Sequence, residues 1–415
     1  MTTPAPLDPR AVTAIFALTY LGIAVGRVPG LQLDRTGIVL LGAIAVMVFG
    51  GLPTATVVGF IDWPTVLLLF GFFVLSAQLR LSGLFDALAA AVARRLAHPG
   101  RFLLLLMAVT AALSAVLNHD IVCLVFAPIV GAALLRRQLN PVPFLIALAV
   151  ASNIGAAATP VGNPQDMMIA QVAGLGFAPY VLWCAVPVLL SLAAAGGLIW
   201  ALSRRRLTLT PPAGPAPALP PAQPLDRAHT TKGLLILLVV IGLFFTSLPK
   251  ELVALTAAGI HLASPKFRTQ DLLALIDWPI LVLFMGLFVV TGAFQATGTG
   301  DAAVQSLARA GLDLQSPAVL VLVTAVLSNL VNNAAAVMLL LHVPGVDTPP
   351  QAYVLALANS FGGSLLVVGS VSNLIVVQQA RATGITISFL EFARLGVPVT
   401  AAALLVLLAW ARLMG

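Results

Sequence analysis

The sequence predicts an all-α polytopic membrane protein built from two inverted repeats, each of about five transmembrane helices with one re-entrant hairpin and one broken helix. Three observations predict it. Of 415 residues, 60% are hydrophobic and only 8% charged, against about 25% charged in a soluble domain. Apolar runs of membrane-spanning length recur from one end of the chain to the other. Several of these runs are interrupted near their middles by Gly, Pro, Asn and Asp, which bare backbone in lipid does not tolerate unless protein or a water-filled cavity lines the break.

The same composition excludes several classes. The formal charge of +7 sits at the ends of apolar runs, where it sets topology, so nucleic acid is not an expected partner. Cys123 and Cys184 both fall in apolar segments, which suits neither a disulfide framework nor a zinc site. Met1–Arg10 lacks the pattern of a cleavable signal peptide. Nothing matches a zinc-protease helix, a nucleophile elbow or an ATP-binding loop, so neither an enzyme nor an ATP-driven pump is expected.

In order, Ala11–Val28 reads as the first span, Gly37–Gly50 as the core of the second and Trp63–Leu79 as the third. Leu81–His98 carries Asp86, Arg94 and Arg95 and should lie amphipathically at the surface. Phe102–Leu135 is too long for one span at 1.5 Å per residue. Its middle is broken by Asn118-His119-Asp120, and Arg101 and Arg136-Arg137 flank it. That describes a re-entrant hairpin with a polar tip near 118–120. Phe144–Val172 contains a broken helix near 153–166, where Gly155, Pro160, Gly162 and Pro164 cannot continue a helix. Val181–Ser203 is a further span. Arg204-Arg205-Arg206 and the Pro/Ala-rich stretch to 231 read as a cytoplasmic, semi-rigid linker. It separates a first repeat, 1–203, from a second, 232–415.

The second repeat restates the first. Ile61-Asp62-Trp63-Pro64 returns as Ile276-Asp277-Trp278-Pro279. The first tip returns as Asn332-Asn333-Ala334, again shortly after a Leu-Ser pair. The broken helix returns near 360–373, from Ser360 and Gly362 to Ser372 and Asn373. Three matches in one order make a duplication. An odd number of crossings inverts the second copy. With the N-terminus outside, the cytoplasmic ends hold all of the 21 Lys and Arg residues except Arg10, Lys250, Arg309 and Arg412, as the positive-inside rule requires.

The breaks carry the expected chemistry. Half-helix N-termini hold roughly +0.5 of a charge and unpaired N–H groups, which attract anions without a buried Arg or Lys. Unwound carbonyls and Asn or Ser oxygens suit a small cation. The expected substrate-binding residues are Asn118, Asn153, Thr159, Gly162 and Asn163 from one half. Asn332, Asn333, Ser360, Gly362, Ser372 and Asn373 come from the other. Asp120, His119 and Asp166 are the expected coupling-ion residues, since a carboxylate at that depth costs about 2.5–3.5 kcal/mol. No organic cofactor is expected. Sodium is the one candidate ligand ion, near Asn118, Asp120, Asn332 and Asn333. Asp62 and Asp277 read as N-caps beside an interfacial Trp. Gly298-Thr299-Gly300 reads as an outer loop, and no role is expected for His261 or His342.

At these residues the chain resembles the ion transporter superfamily, in particular its citrate-transporter-like and arsenite-permease-like anion permeases, which are related to dicarboxylate/sodium symporters. The most specific stretch is Ala158–Asp166, similar to the family's Thr-Pro-hydrophobic-Gly-Asn/Ser-Pro segment. In the symporter branch each tip reads Ser-Asn-Thr and helps bind sodium and substrate carboxylate. Here Asn333 keeps the middle Asn, whereas His119 and Asp120 replace Asn and Thr. The acidic tip is closer to the arsenite-permease and sodium/proton-antiporter branches. The resemblance implies an inner-membrane secondary transporter for a small inorganic oxyanion or carboxylate, coupled to sodium or protons. It also implies a homodimer with an elevator-like moving domain. The alternative is a sodium/proton antiporter that uses Asp120 as its ion carrier.

Overall fold

The computed structural model describes residues 8–26, 30, 32–206, 223–309 and 311–414. Among them every regular element is helical. In the first half α1 is Pro9–Val25, α2 Arg35–Phe49, α3 Thr54–Gly59, α4 Trp63–Leu81 and α5 Leu84–Arg94. The half continues with α6 Pro99–Val116, α7 His119–Arg136, α8 Val142–Ala156, α9 Pro164–Val172 and α10 Phe177–Ser203. In the second half α11 is Arg227–Phe244, α12 Lys250–Leu262, α13 Thr269–Leu273, α14 Trp278–Ala296 and α15 Thr299–Arg309. Then follow α16 Pro317–Val331, α17 Asn333–Leu341, α18 Pro349–Gly362, α19 Val371–Ala382 and α20 Phe389–Met414. Seven of the described helices are long and apolar enough to cross a membrane. Large apolar side chains such as Leu182, Leu238 and Leu405 stand exposed on the outside of the bundle, as lipid contact requires.

The two halves pack by one repeated plan. α4 lies against α12, and its counterpart α14 lies against α2. α6 lies against α8 as α16 lies against α18, and α10 meets its own counterpart α20. Close approach is paid for in glycine at matching positions. A Cβ on Gly71 would come within 2.7 Å of Ala254, and one on Gly286 within 2.7 Å of Val39. Likewise Gly155 sits on Ala111 and Gly362 on Ala325. Small residues let helix backbones approach where apolar lipid offers no hydrophobic drive.

Local sequence explains the helix ends. Asp62 and Asp277 cap α4 and α14 as expected: Thr65 N–H donates to Asp62 Oδ1 at 2.8 Å, and Ile280 N–H to Asp277 Oδ1 at 3.2 Å. Pro follows within the first turn of each, where its missing N–H costs nothing. Asp226 caps α11 and begins the second bundle at Arg227, ahead of residue 232. The expected Pro-rich linker falls on 207–222, outside the described residues; Arg204–Arg206 form a short 3₁₀ turn after α10.

One expectation is corrected. Gly298-Thr299-Gly300 is not a loop but the turn into α15. Gly298 has φ +70, matching φ +76 at Gly83 before α5. Only glycine adopts that backbone without strain, and Thr299 N–H donates to Thr297 Oγ1 at 3.1 Å. The amphipathic segment after Leu81 is α5, with Leu84, Phe85, Ala89 and Val92 buried.

Candidate functional site

Both predicted broken helices are broken. α8 stops at Ala156 and α9 restarts at Pro164; α18 stops at Gly362 and α19 restarts at Val371. The first gap is tight because Gly162 tucks under the end of α8. A Cβ there would lie 2.1 Å from the Ala156 carbonyl oxygen, so no other residue fits. Thr159 Oγ1 donates to the Ala115 carbonyl and accepts from Val161 N–H, which ties the gap to the end of α6. Asn163 then caps α9, its Oδ1 accepting from Asp166 N–H at 2.7 Å.

The two broken helices clasp each other by two matching contacts. Asn153, before the first gap, donates to Asn373 Oδ1 at 2.9 Å and accepts from Ser372 Oγ at 3.2 Å, both beyond the second gap. Ser360, before the second gap, accepts from Asn163 Nδ2 at 3.1 Å and donates to Asp166 Oδ2 at 3.4 Å, both beyond the first. Asn163 Nδ2 also donates to Asp166 Oδ2 at 2.6 Å. Asn373 closes its own gap by donating to the Gly363 and Leu366 carbonyls. Asp166, Ser372 and Asn373 are fully buried, and Asn153, Asn163 and Ser360 nearly so.

Each tip packs on its own broken helix. Asn118 caps α7 by accepting from Asp120 N–H at 2.9 Å, and Ser152 on α8 donates to the His119 carbonyl at 3.3 Å. Asn332 caps α17 by accepting from Ala334 N–H at 3.1 Å. It does so at φ +90, a backbone region that non-glycine residues occupy only when the surroundings enforce it. Asn329, one turn earlier, donates to the Gly362 carbonyl at 2.9 Å. Across the halves α7 lies on α19 and α17 on α9. The four breaks therefore form one contiguous polar centre. Within it Asp120 Oδ1, Asp166 Oδ1, Asn333 Oδ1 and both amide atoms of Asn359 are buried without a hydrogen-bond partner.

The model of the citrate transporter family, CitMHS, matches residues 20–356. The chain belongs to the citrate transporter family. Among its relatives, an uncharacterized transporter of Mycobacterium tuberculosis is 32% identical over 94% of this chain and 96% of its own length. The inner membrane protein YbiR of Escherichia coli is 27% identical over 77% of this chain and 81% of its own. The silicon efflux transporter LSI3 of rice is 35% identical over 40% of this chain and 34% of its own length. Among solved structures, the Alcanivorax borkumensis YdaH transporter superposes with a TM-score of 0.60 over 99% of this chain and 98% of its own, at 17% identity. MtrF of Neisseria gonorrhoeae gives 0.58 over 98% and 94%, at 13% identity. The protein is thus a multi-pass membrane transporter of the citrate transporter family, not an enzyme.

The polar centre also contains Ser152, Asn329 and Asn359, which the sequence left unassigned; each stands beside or one turn from an expected site residue. A cleft of about 280 Å³ opens at the first tip and is lined by Asn118 and Asp120 together with Arg80 and Asp277. Asn332 and Asn333 do not line it. Burial raises the Asp277 carboxyl above the usual carboxylate range, its bond from Ile280 N–H opposes this, and repulsion from Asp120 adds to it.

Proposed function

We propose that the protein is an inner-membrane secondary transporter for a small anion, an inorganic oxyanion or a carboxylate, driven by sodium or protons. The observation that carries this reading is the clasp between the two broken helices. It sets four helix N-termini around one buried polar centre, and such termini hold anions through N–H groups. The two halves differ in charge there. α7 and α9 begin with Asp120 and Asp166 in their first turns, which satisfy those dipoles internally. α17 and α19 begin with no carboxylate. The second-half termini, with Asn333 and Ser372, are therefore the better anion seat, and the first half suits the coupling cation. The roles assigned to Asn118, Asn153, Thr159, Gly162, Asn163, Asn332, Ser360, Gly362 and Asn373 are to shape this centre.

The membrane arrangement belongs to the same reading: N-terminus outside, 204–231 cytoplasmic, halves inverted, and two copies whose transport domains move as elevators. The membrane potential would supply about 2.3 kcal/mol per net charge per 100 mV. Citrate and dissolved silicon are the first substrates to test, because citrate is named for the family and silicon for the rice relative. Proteoliposomes with an imposed sodium or proton gradient should accumulate or expel one of them. Asn153→Ala and Asn373→Ala should each cut that flux by about tenfold, since each removes the amide hydrogen bond that joins the two broken helices, and a buried hydrogen bond is worth about 0.5–1.5 kcal/mol. Unchanged flux in both, at normal expression, overturns the site. A second reading, a sodium/proton antiporter carried by Asp120, is favoured by the cleft that opens at that residue. Proton movement driven by sodium with no anion present would select it.

A further inference from the structure

We propose that the basic cleft where α8, α10 and α20 meet holds the phosphodiester headgroup of an anionic membrane lipid. The cleft encloses about 420 Å³, and its ionisable lining is Arg205, Arg206, Arg394 and Glu391. Three elements build it. α10 runs into the turn Arg204–Arg206, Arg394 stands near the start of α20, and Val142 and Pro143 open α8. Asn140 ties two of them together: its Nδ2 donates to the Arg206 carbonyl at 3.2 Å, and its Oδ1 accepts from Val142 N–H at 3.1 Å. Among the described residues none of the three lining arginines is ion-paired. Glu391 is engaged by Ser388, its Oε2 accepting from Ser388 N–H at 2.9 Å and from Ser388 Oγ at 2.7 Å.

Charge and height set the occupant. Three guanidiniums against one carboxylate leave the lining positive, and Arg204 beside them adds to the sign. Guanidinium forks match phosphate oxygens bidentately. The height is marked by tryptophan, which gathers at the two membrane–water interfaces. Trp183 and Trp200 both lie on α10, about 26 Å apart at 1.5 Å per residue. That is close to the roughly 30 Å of a hydrocarbon core. Trp410 Nε1 on α20 donates to the Trp183 carbonyl at 3.1 Å, at the far interface. Arg205 and Arg206 therefore fall about 8 Å beyond the level of Trp200, in the headgroup layer.

The walls on the membrane side of that level are apolar. Ala201 and Leu202 precede the arginines on α10, Leu395 follows Arg394 on α20, and all three line the cleft. A soluble oxyanion gains nothing from such walls, whereas the glycerol and first acyl carbons of a phospholipid lie against them. Basic pockets between transmembrane helices dock anionic headgroups in this way. The cleft also opens on the start of α8, whose later residue Asn153 belongs to the clasp. An occupant thus braces the first broken helix from its outer end. The inference does not depend on what is transported, and binding is measured with no substrate present.

The test is the thermal unfolding midpoint of the purified full chain in neutral detergent as phosphatidylglycerol is titrated into the micelles. Phosphatidylcholine with the same acyl chains forms a parallel series. Binding to the native state raises the midpoint in a saturable way; phosphatidylglycerol should do so and phosphatidylcholine should not. Arg206→Gln and Arg394→Gln should each raise the half-saturating lipid fraction about fivefold, which corresponds to about 1 kcal/mol per basic residue at a membrane surface. Arg101→Gln should leave it unchanged. That arginine lies at the same height, next to the Gly100 that faces the Trp200 ring, but outside the cleft. All three arginines are exposed, where substitution rarely threatens folding. Any rise in midpoint with inorganic phosphate in lipid-free micelles should be the same in Arg206→Gln as in the unaltered protein. No saturable effect of phosphatidylglycerol, an equal effect of phosphatidylcholine, or Arg101→Gln behaving as Arg206→Gln overturns the site. A saturable rise with inorganic phosphate that Arg206→Gln abolishes makes the cleft a seat for a free anion and overturns the lipid. Anion flux without any lipid effect would leave the transporter reading intact and sink this one alone.

Discussion

Gly155 and Gly362 hold matching places, one at the end of each broken helix, but they are not equally crowded. A Cβ on Gly155 would meet the Ala111 Cα at 2.3 Å, and its backbone oxygen at 2.6 Å. On Gly362 the nearest atoms, the Ala325 Cα and Ser328 Oγ, are 3.0 Å away. Backbone cannot swing aside as a side chain can. Gly155→Ala should therefore cost about 1–3 kcal/mol of overpacking, and Gly362→Ala clearly less. Thermal midpoints of the two variants in one detergent would check the order. Individual residues were also where the sequence was least informative about partners. Asn153 and Asn373 could each be singled out, because amides in an apolar run are costly. Nothing in either neighbourhood says that they bond across 220 residues. Arg80 reads as a topological charge and Asp277 as a cap. The cap is present, but neither reading foretells the cleft the two residues share, because it is made by elements that meet only in three dimensions.

Helices and their breaks were far more legible. Gly and Pro act on their own backbone, so the gaps after Ala156 and before Pro164 follow from local chemistry. The repeated Ile-Asp-Trp-Pro opening marked both α4 and α14. α15 was missed because Gly298-Thr299-Gly300 looks like a loop in isolation. Carrying the duplication forward would have set Gly298 beside Gly83, which starts α5. The cap of α11 makes a separate prediction. Lys266 donates to Asp226 in a hydrogen-bonded ion pair, and His229 N–H donates to its other oxygen at 3.1 Å. These bonds, Lys266 first, hold the Asp226 carboxyl below the usual carboxylate range. A depressed carboxyl contributes its stability above its unfolded value of about 3.9 and loses it as pH falls through the folded value. Melting followed from pH 6 downwards should show extra acid lability below about pH 4. Asp226→Asn, which keeps a cap but not the charge, should flatten that part of the curve.

Across the whole molecule, helices of one half are completed by helices of the other. α4 packs on α12, α14 packs on α2, and each polar gap, besides its own bonds, is bonded to the other half. Residues 1–206 expressed without the remainder should be unstable in the membrane. Co-expression with residues 223–415 should restore a species that copurifies and melts cooperatively. Pull-down of one tagged half by the other is the measurement, and failure of the halves to associate would count against the clasp as the principal link. The three repeated motifs were legible in the sequence. The way the two halves interlock was not, since each half viewed singly is a plausible bundle.

The clasp also orders events on the ribosome. Asp166 emerges long before Ser360, its partner from the second half. At about 5–20 residues per second the wait is on the order of ten seconds or more. During that wait the newborn first half carries toward the bilayer a carboxylate answered only by its neighbour Asn163, and the late-arriving serine completes a shelter that the first half merely begins.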